Sequence, residues 1–497
     1  MEMLIEATVG LAGAASSVAL YRGIKRRLCP SQEERDFYAM DGSMAGRTVL
    51  VTGANSGVGR AAAEILARKG AHVMCACRDM PKAEATASAI NRRLPRTVPP
   101  SSSPWGRASP APAPLDLASL ASVRAFVDAF ERERGEEGEE EQKRNEDRRL
   151  RRREPRLHVL VNNAGALFPK RELVDVWKRE EQEGRGEGEG KRESLLVERT
   201  MATNHLGPFL LTALLLPTLK ETGRAEGRPS RVVMVSSRLE KGKGEYLDCW
   251  VRDPTLTPAE DQDPKEEGEE EGGPVASPPY RPFLAYGASK LANLLAVTYL
   301  HRQQQGWSLP DATHQPPTTT TPPSLLLGPS THRWDPSDQH VSVYGCTPGM
   351  VHTALNRSLL PGFVRVLFWP LSYSLLQTPF EGARPVVFLA ASDRVEGRGG
   401  GFWALEARKK EEERREKGWD VVEVASSPEA EDIVLAHKLW VRPHGIECES
   451  FDEGVERTFK YQHVQSIVLS FQRKIFLFSH RTSHILKSKK NPLVPVY

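Results

Sequence analysis

Tyr286 and Lys290 stand four residues apart in Tyr286-Gly287-Ala288-Ser289-Lys290, a spacing that puts both on one face of a helix. An ammonium beside a phenol favours the phenolate, which would lower the tyrosine pKa from about 10 toward the range of a working proton donor. By itself the pair is weak, because Tyr and Lys meet at this spacing on many helices. A second group of residues strengthens it. Thr52-Gly53-Ala54-Asn55-Ser56-Gly57-Val58-Gly59 lies between the apolar run Arg47 to Val51 and the helical stretch Ala61 to Gly70. In such a strand, turn and helix, Gly53 permits a tight turn, Gly57 a close backbone approach and Gly59 the packing of helix on strand. The open N–H groups of the helix then suit a pyrophosphate. The expected occupant is a dinucleotide, against the plainer reading of a tight turn. An NAD site places Asp or Glu about 20 residues past the glycines, and here Arg78 stands in that neighbourhood, 19 residues after Gly59. A guanidinium pairs with the extra 2′-phosphate of NADP; the adjacent Asp79 is the competing feature.

These residues need elements to hold them. Strand-type runs recur at Ala71 to Cys77, Leu157 to Asn163, Arg231 to Ser237 and His340 to Gly345, with helical stretches at Leu120 to Glu133, Asn204 to Lys220 and Ala288 to His301. Strands alternating with helices predict an α/β fold, a doubly wound parallel sheet of Rossmann type covered on both faces. The expected organisation is one domain over residues 46–446, preceded by an anchor or targeting segment and linker at 1–45 and followed by a basic tail at 447–497. Residues 95–114, 131–156, 180–193, 254–279 and 303–337 are rich in proline or charge. They bury too little to offset ordering entropy and read as disordered insertions in that domain.

The 497 residues are 39% hydrophobic and 27% charged, with a net charge of +3, so no basic field argues for a nucleic-acid partner. None of the six cysteines forms a C-x-x-C spacing, and isolated histidines such as His205 and His352 lack ligand spacing, so no metal is expected. A reducing compartment is the default. Residues 3–20 form an apolar run close to the roughly 20 needed to span a bilayer. Arg22, Lys25, Arg26 and Arg27 follow it and would keep the remainder on the cytosolic side. Membrane association with a cytosol-facing domain is therefore expected, with an organellar targeting peptide as the alternative. A homo-oligomer is compatible with the sequence.

The motifs occur in one order: TGANSGVG, NNAG at 162–165, NHLG at 204–207, VSS at 235–237, YGASK at 286–290 and PGMVHT at 348–353. This order resembles the short-chain dehydrogenase/reductase family. CACRDMPKAEA at 75–85, NHLGPFLLT at 204–212 and SKLANLL at 289–295 are similar to its retinol dehydrogenase branch, as is PEAED at 428–432. The resemblance implies that Tyr286 is the general acid/base and that Lys290 holds the nicotinamide ribose and depresses the tyrosine pKa. It gives Ser237, in preference to Ser236, a hydrogen bond to the substrate oxygen, and Asn204 a water linked to Lys290. It implies cofactor contacts at Thr52, Gly53, Asn55, Ser56, Gly57, Val58, Gly59, Arg78, Asp116, Asn163, Ala164, Gly165, Pro348 and Gly349.

Two departures stand out. Pro110 to Pro114 reads poorly as the strand expected before Asp116, and the 49 residues from Ser237 to Tyr286 place an insertion on the substrate side. The apolar stretch Met350 to Leu376 reads either as a helix over the sheet end or as a lid over a greasy substrate. The implied activity is hydride transfer between NADP(H) and a lipophilic aldehyde, ketone or alcohol, with retinal and retinol as the type. The alternatives are reduction of another hydrophobic carbonyl, such as a sterol, lipid aldehyde or pigment precursor, and a catalytically idle NADP-binding interaction module.

Overall fold

The computed structural model describes residues 43–94, 106–144, 156–176, 196–253, 255–256, 279–305, 340–351, 377–407 and 419–432. The chain runs β1 (Thr48–Thr52), α1 (Gly57–Arg68), β2 (His72–Ala76), α2 (Met80–Asn91), β3 (Arg107–Pro110), α3 (Leu120–Arg144) and β4 (Val159–Asn162). A short antiparallel pair, β5 (Leu173–Asp175) and β6 (Leu196–Glu198), leads into a helical turn (Arg199–Met201), a π-helical turn (Ala202–Leu206) and α4 (Gly207–Glu226). Then come β7 (Ser230–Val235), α5 (Gly244–Arg252), α6 (Pro282–Gln304), β8 (Val341–Thr347), α7 (Pro379–Ala391), β9 (Phe402–Ala407), β10 (Trp419–Val424) and α8 (Pro428–Glu431).

The main sheet has the order β10-β9-β8-β7-β4-β1-β2-β3. Its central strands are short apolar runs because both faces are covered. Successive residues serve opposite layers. On β1, Leu50 joins the core formed with α3, α4 and α6, whereas Val49 and Val51 join the core formed with α1, α2 and α7. On β7, Val232 and Met234 face the first layer while Val233 and Val235 face the second. This is the doubly wound α/β architecture that the alternation of elements predicts. Strand order reverses between β1 and β4, which both pair in parallel, and ligands of such sheets bind beyond the carboxyl ends of the strands at that reversal.

Several segments depart from the sequence reading. The sheet is not wholly parallel, since β10 pairs antiparallel with β9 at one edge. Part of the proline-rich tract is strand: β3 pairs with β2 in parallel, Pro110 opposite Cys75. Proline is tolerated there because β3 is the last strand of the sheet. Helix α3 continues through residues 131–144, inside the tract expected to be an insertion, because Glu, Gln, Lys and Arg are good helix formers. Residues 255–256 belong to the packed unit, with Leu256 fully buried. So does Met44, which is buried and whose N–H donates to the Lys69 carbonyl at 2.9 Å. The expected segments at 1–42, 180–193, 257–278, 306–337, 352–376 and 447–497 lie outside the described residues. Among the described residues no helix is long and apolar enough to cross a membrane.

Candidate active site

The glycine turn is built by backbone demands. Gly53 and Gly57 have φ of +65° and +55°, left-handed values that glycine adopts without strain. A Cβ on Gly59 would run into the Asn163 side-chain amide and lie 2.5 Å from the Gly53 carbonyl. That close packing against the loop after β4, more than against a strand, is what requires glycine at 59. Asn163 completes the lock, its amide donating to the Thr52 carbonyl at 3.0 Å. The Thr52 hydroxyl accepts from the Asn163 and Ala164 N–H groups at 3.0 and 3.1 Å. Thr52 and Asn163 therefore brace the turn. Ser56 precedes α1 in extended conformation and its hydroxyl makes no cap bond, so the first N–H groups of α1 are left for a ligand.

Thr52, Gly53, Ser56, Gly57, Asn163 and Ala164 border one cleft of about 1250 Å³ that continues past Gly165 to Ser237, Tyr286 and Lys290, whereas Gly59, expected as a cofactor contact, packs against the Asn163 side chain and does not line it. Its volume exceeds the roughly 300–1,000 Å³ of an ordinary small-molecule pocket. Arg78 is exposed on its wall, and no described residue forms an ion pair with it. Asp79 is engaged elsewhere: it caps α2 by accepting from the Lys82 N–H at 3.1 Å and pairs with the Lys82 ammonium at 2.6 Å. These contacts hold its carboxyl below the usual carboxylate range, chiefly through the side-chain bond from Lys82. Asp116 reaches the same cleft and accepts from the Ala118 N–H at 3.0 Å. Pro348 and Gly349 also border the cleft, with Gly349 at φ +76°.

Tyr286 and Lys290 lie on α6, one turn apart. Lys290 is buried, its ammonium 5.4 Å from the centre of the Tyr286 ring and donating to the Val235 carbonyl at 3.0 Å. Burial pushes Lys290 down to about 8 and Tyr286 up to about 12. The expected lowering of the tyrosine pKa is thus reversed here, because desolvation of the phenolate outweighs an ammonium that is turned toward a main-chain carbonyl. Gly165 makes room for that ammonium: a Cβ there would lie 3.1 Å from Nζ.

The two serines divide their tasks. Ser236 is buried and donates to the Lys290 carbonyl at 2.7 Å. Ser237 borders the cleft and accepts from the Leu239 N–H at 3.2 Å, leaving its own proton to donate. Asn204 sits in the π-helical turn, a local widening common at functional sites. Its amide donates to the Ala166 carbonyl at 2.8 Å and to the Ser289 hydroxyl at 3.0 Å, and its Oδ1 accepts from the Ala166 N–H at 2.8 Å. Both amide hydrogens go to protein acceptors, so the side chain braces the cleft wall against α6.

The family model described as short chain dehydrogenase matches residues 47–100, the segment that carries β1, the glycine turn, β2 and Arg78. Human retinol dehydrogenase 14 is 31% identical over 438 residues, covering 87% of this chain and 96% of that relative. The chain belongs to the short-chain dehydrogenase/reductase family. Within this oxidoreductase family it falls in the retinol dehydrogenase branch, with retinol dehydrogenase 12 of Bos taurus 27% identical over 82% of this chain and 87% of that relative. The solved 3-ketoacyl-(acyl-carrier-protein) reductase from Brucella melitensis is 19% identical, with a TM-score of 0.40 over 73% of this chain and 96% of that one.

Several residues of this short-chain dehydrogenase/reductase escaped the sequence reading. Lys82, which neutralises Asp79, sits one helical turn past it in a basic and acidic alternation that offered a usable signal. Phe168, Leu239, Phe283 and Leu405, which line the cleft beyond Tyr286, come from four separate segments with no shared spacing.

Proposed function

We propose that this short-chain dehydrogenase/reductase is an NADP(H)-dependent oxidoreductase acting on a lipophilic aldehyde, ketone or alcohol of the retinal and retinol kind. One observation carries the reading: Tyr286, Lys290 and Ser237 line the same cleft as the glycine turn and Arg78. The donors suit a dinucleotide. Uncapped N–H groups at the start of α1, with Asn55, Ser56, Gly57 and Val58 on the cleft, would hold the pyrophosphate. Asp116 would meet the adenosine half, and Asn163, Ala164, Gly165, Pro348 and Gly349 would enclose the nicotinamide half. Arg78 would pair with the 2′-phosphate, and the engagement of Asp79 by Lys82 removes the carboxylate that would repel it.

Bound nicotinamide supplies or accepts the hydride. Tyr286 hands its phenolic proton to the carbonyl oxygen in reduction and takes a proton from the alcohol in oxidation. Its upward-shifted pKa favours the protonated phenol, the form that serves the reduction direction. Ser237 donates to the same oxygen, where negative charge develops. Lys290 holds the cofactor ribose and, with a pKa near neutrality, can take up or release a proton beside Tyr286.

Leu239, Phe283 and Met350, exposed by 46%, 53% and 75%, border the cleft mouth. An apolar rim of this kind favours a greasy substrate, in line with relatives that bear the name retinol dehydrogenase. The test is NADPH oxidation by the purified protein against aldehydes and ketones of graded size and hydrophobicity. Turnover should rise with apolar size, and Tyr286→Phe should lower kcat about 100-fold or more with NADPH binding nearly intact. Absence of turnover with every carbonyl, and with alcohols in the reverse direction, would overturn the reading.

A further inference from the structure

The wall of the cleft just beyond Ala166 has no regular secondary structure, yet it is held from two sides. Phe168 lines the cleft. The Arg199 guanidinium lies 4.6 Å from the centre of its ring, and Arg199 is itself paired with Glu172. The Phe168 carbonyl accepts from the Tyr280 hydroxyl at 3.0 Å. That hydroxyl is also 3.2 Å from the Thr200 Oγ1 and 3.4 Å from Glu198 Oε1.

The protons can be assigned. Thr200 donates its hydroxyl proton to Glu198 Oε1 at 2.7 Å, and Glu198 also accepts from the Thr200 and Met201 N–H groups at 2.8 and 3.0 Å. The Tyr280 proton is left for its shortest contact, the Phe168 carbonyl. Glu198 is fully buried, and burial raises the Tyr280 pKa further above its ordinary value, so the phenol stays a donor. Tyr280 stands two residues before α6, which carries Tyr286, while Glu198 opens the helical segment that carries Asn204. One hydroxyl therefore ties the substrate wall to both elements that bear the chemistry.

We propose that Tyr280 is a positioning residue that fixes the Phe168 wall, and with it the reach of the cleft for long or bulky carbonyl substrates. Glu198 and Thr200 hold Tyr280 in place; none of the three touches substrate. This rests on the oxidoreductase reading above.

Tyr280→Phe deletes only the tether. With NADPH, KM for a long-chain or ring-bearing aldehyde should rise about 3- to 10-fold, the loss of one neutral hydrogen bond. For a short aldehyde, kcat and KM should stay within about twofold, as should NADPH affinity measured by fluorescence titration. Glu198→Gln keeps a carbonyl acceptor beside Thr200 and Tyr280 and should keep the size preference. Amide hydrogen exchange across residues 164–170 should be faster in Tyr280→Phe than in the parent, with or without cofactor. A uniform fall in kcat, NADPH affinity and thermal midpoint would mean a purely structural role and would overturn the proposal, as would kinetics unchanged for every substrate. A parent protein that turns over no carbonyl overturns the functional reading and with it the substrate part of the proposal. The tether then stands or falls on the exchange difference alone.

Discussion

At the scale of single residues, two charges bear on the cofactor preference proposed for the cleft. Arg78 is offered to the cleft while Asp79 is bound to Lys82. Arg78→Leu should therefore weaken NADPH about 10- to 100-fold, the worth of a charge-assisted bond, and leave NADH almost unchanged; equal weakening of both would make Arg78 structural. Lys290 gives a pH signature. Its folded pKa of about 8 lies below the ordinary 10.5, so between these values the unfolded chain binds the extra proton and stability rises with pH. Relative to Lys290→Met, the parent should gain stability across pH 8 to 10.5, up to roughly 3 kcal/mol, as read by urea unfolding at each pH. A flat difference would show that Lys290 titrates in the folded protein as it does in the unfolded chain. The Tyr286 and Lys290 pair was legible because its geometry is local, four residues on one helix. The direction of the tyrosine shift was not, because it depends on burial under other segments and on the Val235 carbonyl, which chain separation hides.

Elements set how tightly these residues are held. Gly59 in α1 faces the Asn163 amide and the Gly53 carbonyl with no space for a methyl group. Gly59→Ala should cost about 1–3 kcal/mol by overpacking and weaken NADPH in parallel, since the same loop forms both the turn and the cleft. Calorimetry with and without NADPH reads both effects, and an unchanged midpoint would show that the Asn163 loop can yield. The strand and helix pattern around this turn was visible in sequence, as were β2, β4, β7 and β8, because each is a short apolar run. Strand β3 was hidden by Pro110, whose tolerance depends on a position at the sheet edge that only the strand order reveals. The antiparallel β10 and the β5 and β6 pair were missed because runs of three to six residues carry little periodicity, and nothing in so short a run names its partner strand.

For the whole molecule, chemistry and membrane attachment should separate. Every residue assigned to the cleft follows Gly46, whereas the apolar run and its basic flank lie within residues 3–27. Deleting residues 1–27 should move the protein to the soluble fraction and leave turnover of a water-soluble aldehyde unchanged. Turnover of a lipophilic one supplied in vesicles should slow. If the full-length protein washes off membranes in high salt or at alkaline pH, that segment is not an integral anchor.

The alternation of β1 and β7 between two cores carries a different consequence, one about which changes of length the chain can accept. Side chains on these strands obey a parity rule: Val49, Val51, Val233 and Val235 serve one layer, Leu50, Val232 and Met234 the other. One residue inserted inside a strand inverts the parity of all that follows in it and sends apolar side chains to the wrong layer. Dozens of residues inserted between a helix and the next strand leave every parity intact, as with the 34 residues numbered 306–339 between α6 and β8. A lineage can therefore lengthen this protein between its elements far more readily than within a strand. A library of single-residue insertions, scored for soluble expression, should trace the strands as a row of intolerant bars separated by permissive gaps.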